Sequence, residues 1–365
     1  MRELKRNRNK KHVTIVMGTA LVLLFVMTVG YAAFATNISI NAKGNLKKIQ
    51  AADMLKKKVV TSGDGLYADA TEQGRYIYRG GNPHNYITFN NETWRIVSVE
   101  GDGTIKIIMD DVLASMPFDS SSNQANRTST TSYDASTTEY CGHAYATGTY
   151  YGCNVWGSNQ TTTDVNGTLV SSMIFDDGRG LHSNQSLANK SFYLPSEEAS
   201  LNTYLNTTYY NGFNGETKSF ITNHNYNVGL VGLDNATLAA DVNQEKQKNW
   251  NGHIGLMSIT DYVKASTNSS CTGVKTYVFA GWGRGGVEAC YNSKGQYNWL
   301  YSDTIQWIMQ PFPDNVSHNA WGIDNAGYMF GVWSYLDASV RPVLYLKSSI
   351  TLLGQGTSQN PYTID

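Results

Sequence analysis

The sequence predicts an α+β fold, an antiparallel β-rich globule with inserted helices, carried behind an N-terminal membrane-directed helix. Two patterns predict the globule. Short β-branched and aromatic runs separated by turn residues, "RYIYR", "NYITF", "TWRIVSV" and "TIKIIMD", follow one another between residues 75 and 110, and strand-like runs return over the last hundred residues. Between these two groups, "YLPSEEASLNTYLNTTYYNGF" and "SITDYVKAS" space their apolar residues as helices do. A third observation predicts the leading helix: residues 13–35, "VTIVMGTALVLLFVMTVGYAAFA", contain no charged side chain.

At about 1.5 Å of rise per residue that segment spans roughly 34 Å, the thickness of a bilayer's hydrocarbon layer. Residues 1–12 before it form a basic segment. Residues 1–35 hold Arg2, Lys5, Arg6, Arg8, Lys10 and Lys11 against Glu3, a charge that belongs on the cytoplasmic side, so that the chain beyond residue 35 is exported. The segment serves equally as a retained anchor or as a cleaved signal, because Ala33-Phe34-Ala35 has the A-x-A form of a processing site. The expected location is therefore the cell membrane with an extracellular C-terminal domain, or the medium after cleavage. The whole chain carries a formal charge of −1, so the part beyond residue 35 is near −6. An acidic body disfavours nucleic acid as a partner, since such binding needs a basic face.

Residues 36–62 read as a stalk or linker: "NLKKIQAADMLKKKVV" places Leu46, Ile49, Met54, Leu55 and Val59 near helical spacing with lysines between them. Residues 63–365 then form the extracellular α+β domain. Its first strands read as a meander turned by "NNE" and "GDG", with Arg95 and Ser98 of the third run on a wet face. Residues 119–139 are almost wholly polar and read as a mobile surface loop. In the first helical stretch Ser196 is the expected cap and Leu201, Tyr204, Leu205 and Tyr209 the inner face. In the second, Ser258 or Thr260 caps and Tyr262 and Val263 turn inward.

The four cysteines lie beyond the membrane segment, where disulfides persist. Four cysteines allow three pairings. The local ones, Cys141 with Cys153 and Cys271 with Cys290, are favoured because each brackets a Gly- and Tyr-rich stretch, and each closure is worth about 3 kcal/mol in the chain-entropy account. A metal site on Cys141, His143 and Cys153 is the rival, but it matches no standard zinc spacing. No metal and no cofactor is expected.

Signals for chemistry are sparse. "GWGRGG" sets Gly281, Gly283 and Gly286 in a G-x-G-x-x-G pattern, but no helix follows to receive a phosphate. Neither a G-x-S-x-G elbow nor an H-E-x-x-H helix occurs, and His84, His182, His224 and His318 are scattered in polar surroundings. The aromatic, Asn- and Gly-rich stretch 319–346 is the better candidate. Trp282, Trp321, Asp324, Asn325, Trp333 and Tyr335 combine ring faces with polar edges, as a glycan- or protein-binding surface requires. Strand alternation sends Tyr328, Phe330 and Val332 to one side and Met329, Gly331 and Trp333 to the other, so some of these rings belong to the core.

Five motifs in this order, "RYIYRGGNPHNYITFNNETWRIVSVEGDGTIKII", "YLPSEEASLNTYLNTTYY", "HIGLMSITDYVKAS", "SVRPVLYL" and "GQGTSQNPYTI", resemble a family of surface proteins of gut Gram-positive bacteria for which no activity is established. "GYAAFATNISI" is similar to the signal region of TasA- and camelysin-type exported proteins. Members of the group are distantly similar to the C-type-lectin-like fold of formylglycine-generating enzymes, which implies a mixed fold whose C-terminal sheet displays a ligand face. No catalytic cysteine pair carries over, because Cys271 and Cys290 sit outside a matching motif. The leading expectation is a surface-displayed or secreted non-enzymatic binding protein. The alternatives are a self-assembling structural or appendage subunit and an extracytoplasmic enzyme, the last requiring a pocket where Asp, Glu or His converge.

Overall fold

Turn chemistry sets the first half of the architecture. Asn90 and Asn91 both take positive φ, 54° and 60°, the geometry that joins two strands through a two-residue turn. Gly103, at φ 85°, turns the next pair, with Asp102 Oδ1 accepting from the Thr104 amide at 2.9 Å. The computed structural model describes residues 48–120, 142–145, 148–151, 154–157, 161–163, 169–171, 198–233, 235, 237–278, 290, 294–313 and 319–365. Segments 1–12 and 13–35 with Ala33 and Ala35, the pair Cys141 and Cys153, the Gly281–Gly286 pattern and Trp282 lie outside the described residues. Among the described residues no helix is long and apolar enough to cross a membrane.

Contacts group Ile49–Asp365 into one unit. It opens with helix α1 (Ala51–Lys56), then strands β1 (Gly65–Ala68), β2 (Tyr76–Arg79), β3 (Tyr86–Phe89), β4 (Glu92–Val99), β5 (Ile105–Met109) and β6 (Ala114–Pro117). Two short hairpins come next, β7 (Gly142–Tyr145) with β8 (Gly148–Tyr151), and β9 (Thr161–Thr163) with β10 (Leu169–Ser171). The first helical stretch is α2 (Ser200–Thr203), continued by a π-helical segment (Tyr204–Tyr209) and α3 (Tyr210–Gly212). Then come α4 (Gly215–Phe220), β11 (Ile221–Thr222), β12 (His224–Asn227), α5 (Leu238–Glu245), β13 (Asn249–Gly252), β14 (Ile254–Gly255) and α6 (Ile259–Lys264). Seven strands close the chain: β15 (Gln306–Pro311), β16 (Asn319–Ile323), β17 (Met329–Trp333), β18 (Asp337–Val340), β19 (Val343–Leu346), β20 (Leu352–Leu353) and β21 (Tyr362–Ile364).

The result is mixed α+β, dominated by a curled sheet in the order β11-β19-β5-β4-β3-β21-β20. The curl comes from shared edges. One side of β4 pairs with β3 over Glu92–Arg95 and with β2 over Ser98 and Val99, and the outer side of β19 pairs first with β14 and then with β11. A second sheet runs β17-β16-β15-β18-β6. The antiparallel ribbon of β5 and β19 continues into that of β6 and β18, so two chain segments cross together from one sheet to the other. Arg341 pins the crossing from inside, its Nε donating to Met109 O at 2.9 Å and one terminal nitrogen to Leu300 O at 3.3 Å.

Four expectations require correction. The helix within the predicted stalk is core structure: Ala51 and Leu55 are fully buried, and the Ala51 amide donates to Ile350 O at 2.8 Å. Strand β4 has no wet face, because Arg95 and Ser98 are buried as well as Trp94 and Ile96. The strand lies inside the sheet, and Arg95 is covered by the rings of Tyr86 and Trp299 at 3.8 and 4.8 Å. Asp119, placed by the sequence in the polar loop, is fully buried and accepts from the Ser200 amide at 3.1 Å, which caps α2 from 81 residues away. Along β17 the simple alternation fails, since Met329 and Val332 are buried while Phe330, Gly331 and Trp333 are intermediate. The second helix fulfils its reading: Ser258 and Asp261 form a reciprocal capping box, and Tyr262 and Val263 are buried. The Cys271–Cys290 disulfide is present.

Candidate functional site

Trp321, Asp324, Asn325, Trp333 and Tyr335, the described residues among those the sequence singles out, do not form one constellation. Trp321 is fully buried in β16 and packs edge-on against Phe312 with ring centroids 4.5 Å apart. Asp324 closes the turn into β17, its Oδ1 accepting from the amides of Ala326 and Tyr328 at 2.8 and 2.9 Å. Asn325 is exposed, and its carbonyl accepts from the Tyr301 hydroxyl at 2.8 Å. Trp333 and Tyr335 are half-buried neighbours, 5.6 Å apart, at the opposite end of β17. A strand of this length separates the two groups by about 13 Å. The buried Trp321 between them is core because β16 is covered on both faces, all five of its residues being buried.

A polar cleft among the described residues lies elsewhere. A space of about 170 Å³ lies against the curled sheet, lined by Glu72, Arg75, Glu100, Lys106, His224, Tyr226, Glu245, Thr260 and Tyr345 among others. Five parts of the fold bring these groups together. The segment before β2 supplies Glu72 and Arg75, and the β4–β5 hairpin supplies Glu100 and Lys106. The end of α5 contributes Glu245, the start of α6 Thr260, and β12 and β19 form an aromatic wall. In that wall His224 stacks on Tyr345 with centroids 3.7 Å apart, and Tyr226 meets Tyr345 edge-on at 5.1 Å. His224, one of the scattered histidines of the sequence, is thus a wall residue of the cleft.

Beneath the cleft lies an ion-pair network. Arg75 is buried, and its five N–H donors are committed. Nε reaches Glu100 at 3.0 Å, one terminal nitrogen Asp69 and Glu72 at 3.0 and 3.1 Å, and the other Ser98 and Asp261 at 3.3 and 3.0 Å. Asp261 accepts Lys106 on its second oxygen at 2.5 Å. Lys264 joins Asp69 and Glu72, and Lys246 joins Glu72. Burial raises the Asp261 carboxyl, but Lys106 and Arg75 more than reverse this and hold it well below the usual range. Asp69 behaves alike: burial opposes its charge, yet Lys264 and Arg75 bring it down to about 2.

Glu245 differs from the carboxylates of this network. It sits on the buried stripe of α5 with Asp241 and Val242, and it accepts from the Thr260 amide at 3.3 Å, from Gln310 Nε2 at 2.8 Å and from the Thr260 hydroxyl. None of the ion pairs among the described residues includes it. Burial, then repulsion from Asp261, push its carboxyl up to about 7, against weaker pulls from Thr260 and Lys106.

No protein-family model matches the chain, and no curated protein and no solved structure is detectably similar to it.

Function therefore has to be argued from the cleft. Among the described residues no group of three or more His, Cys, Asp or Glu is arranged to hold a metal ion. The cleft offers carboxylate oxygens, an ammonium and hydroxyls in a space with little apolar lining, an arrangement suited to recognising a small polar group by hydrogen bonds and charge. Sequence reasoning missed Arg75, Lys106, Glu245 and Asp261. One signal was available: Lys106 interrupts the apolar run "TIKIIM" of a strand whose five residues are all buried, and a charge there needs a buried partner.

Proposed function

We propose that this chain is an exported binding protein, displayed on or released from the surface of a Gram-positive bacterium, that receives part of a glycan or protein ligand in the polar cleft. The observation that carries this reading is the convergence of Glu72, Glu100, Lys106, Glu245 and Thr260 on one cleft from four separate parts of the fold. The basic segment and the uncharged 13–35 segment support export, and the Cys271–Cys290 bridge supports an oxidising location. A C-type-lectin-like relationship is part of the same proposal and rests on the five ordered motifs.

The test is a glycan, mucin and peptide array probed with the full chain in mild detergent, beside Asn225→Trp and Trp333→Ala variants checked for folding. Asn225 is exposed at the cleft, so a tryptophan there obstructs the opening. The reading expects specific binding that Asn225→Trp loses and Trp333→Ala keeps. Binding untouched by Asn225→Trp, or no binding by a well-folded chain, would overturn it.

One observation favours a catalytic variant of this reading. Glu245 lines the cleft and contacts the Thr260 hydroxyl, with its carboxyl in the range that suits proton transfer near neutrality. Array ligands recovered chemically altered by the wild type and unaltered by Glu245→Gln would support it. Ligands recovered intact from both would exclude it for those compounds.

A further inference from the structure

The ion-pair network under the cleft is balanced except at one carboxylate. Its four cations, Arg75, Lys106, Lys246 and Lys264, pair with Asp69, Glu72, Glu100 and Asp261. Glu245 is the fifth carboxylate, and it has hydrogen-bond donors but no cation. Its acceptor sites are not all used: the Thr260 amide and Gln310 both reach Oε1, whereas Oε2 takes only the Thr260 hydroxyl. A carboxylate oxygen has two lone pairs, so Oε2 keeps one for another donor. Meanwhile the cleft has little to offer an anion. Arg75 has all five donors engaged, and the Lys106 ammonium, with one of its three donors on Asp261, has its charge matched by that carboxylate.

We infer that the cleft takes its ligand through a primary ammonium group seated on Glu245 Oε2, where the ligand's charge completes the network. This rests on the proposal that the cleft is the binding site and names the chemistry it selects. The local field favours a cation, because the Asp261 carboxylate acts on Glu245 more strongly than the Lys106 ammonium does. A buried carboxylate without a cation is costly to ionise, and an ammonium brought by the ligand offsets that cost. A neutral donor in its place brings no charge to offset that cost and gains only one ordinary hydrogen bond.

Binding of this kind is tied to proton release from Glu245. The groups that act on it are Asp261 and Thr260 of α6, Lys106 of β5, Gln310 of β15 and Tyr345 of β19. Of these, Asp261 stays ionised and Tyr345 stays neutral across the physiological range, since the carboxyl is held low and the phenol is pushed well above its ordinary value. The raised Glu245 carboxyl therefore changes charge near neutrality while these two do not. Ammonium affinity is expected to be flat above about pH 7 and to fall about tenfold for each unit below it.

The experiment uses the full chain in mild detergent with n-butylammonium chloride as probe, 1-pentanol as its neutral counterpart and sodium chloride as the ionic-strength control. Glucosamine against N-acetylglucosamine then distinguishes a sugar-borne amine from a simple alkyl one. At ten times its dissociation constant the ammonium raises the melting midpoint by roughly 2–4 °C. Glu245→Gln, which keeps shape and folding, abolishes the shift, and Asn225→Trp weakens it. An equal shift with 1-pentanol, an equal shift in Glu245→Gln, or no shift with the folded wild type above pH 7 would overturn the inference. If the array ligand binds and Asn225→Trp loses it while butylammonium has no effect, the ammonium chemistry falls and the cleft reading stands. If butylammonium binds through Glu245 while the folded chain binds nothing on the array, the surface-ligand reading falls and the ammonium chemistry stands.

Discussion

Arg75 and Asp261 are 186 residues apart in sequence and meet in a buried hydrogen-bonded ion pair at 3.0 Å. The same Asp261 caps α6 and holds Lys106, so one carboxylate ties the segment before β2, strand β5 and helix α6 together. Replacing it by Asn leaves buried Lys106 without its carboxylate and takes one of four carboxylates from Arg75. Asp261→Asn is expected to cost about 3–5 kcal/mol in urea unfolding, well above the roughly 1 kcal/mol of Ser258→Ala, which removes the cap alone.

Glu245 gives stability the opposite pH dependence from Asp69 and Asp261. Its carboxyl is raised from 4.5 to about 7 in the fold, so the folded state holds a proton that the unfolded chain releases. The contribution is complete below pH 4.5 and is lost as pH rises through 7, a change of about 3 kcal/mol. Asp69, brought down to about 2, works the other way, and its contribution is present above pH 4 and lost on acidification. Between pH 4.5 and 8, unfolding free energies should therefore decline more steeply in the wild type than in Glu245→Gln. Identical slopes would remove Glu245 from this account.

Trp321 and Trp333 should separate cleanly. Trp321 is fully buried against Phe312, and its truncation to Ala is expected to cost about 3–5 kcal/mol. Trp333 is half-buried beside Tyr335, so Trp333→Ala is expected to cost about 1 kcal/mol and to leave cleft binding intact. Thermal unfolding of both variants, with the array as second readout, checks this.

Gly255 is required by the wall of the cleft. A Cβ there would stand 2.7 Å from two ring carbons of Tyr226. That ring is held in place, because its hydroxyl shares its one proton between His253 O and Val343 O, each at 3.0 Å. Gly255→Ala is expected to destabilise by about 1–3 kcal/mol and to weaken ligand binding by shifting Tyr226. Chemical denaturation with the ammonium titration repeated on the variant measures both effects.

Local chemistry along the chain settled the hairpins, one helix start and the fold class. Asn90-Asn91 and Asp102-Gly103 dictated the hairpins of β3, β4 and β5, Ser258 with Asp261 dictated the start of α6, and alternating apolar runs dictated a β-rich α+β fold. These signals are legible because each depends on residues within a few positions of one another. Which polar and aromatic residues belong to a site depended on long-range packing. Arg95 looked solvated until Tyr86 and Trp299 covered it and Ser98 until Arg75 and Glu100 met it, and Asp119 looked like loop until it capped a helix 81 residues away. Trp321 looked available until β16 became an inner strand. The cleft was hidden for the same reason. Arg75, Lys106, Glu245 and Asp261 are separated by up to 186 residues, and the burial that gives each its charge state does not exist until the sheet curls and α5 and α6 close over it.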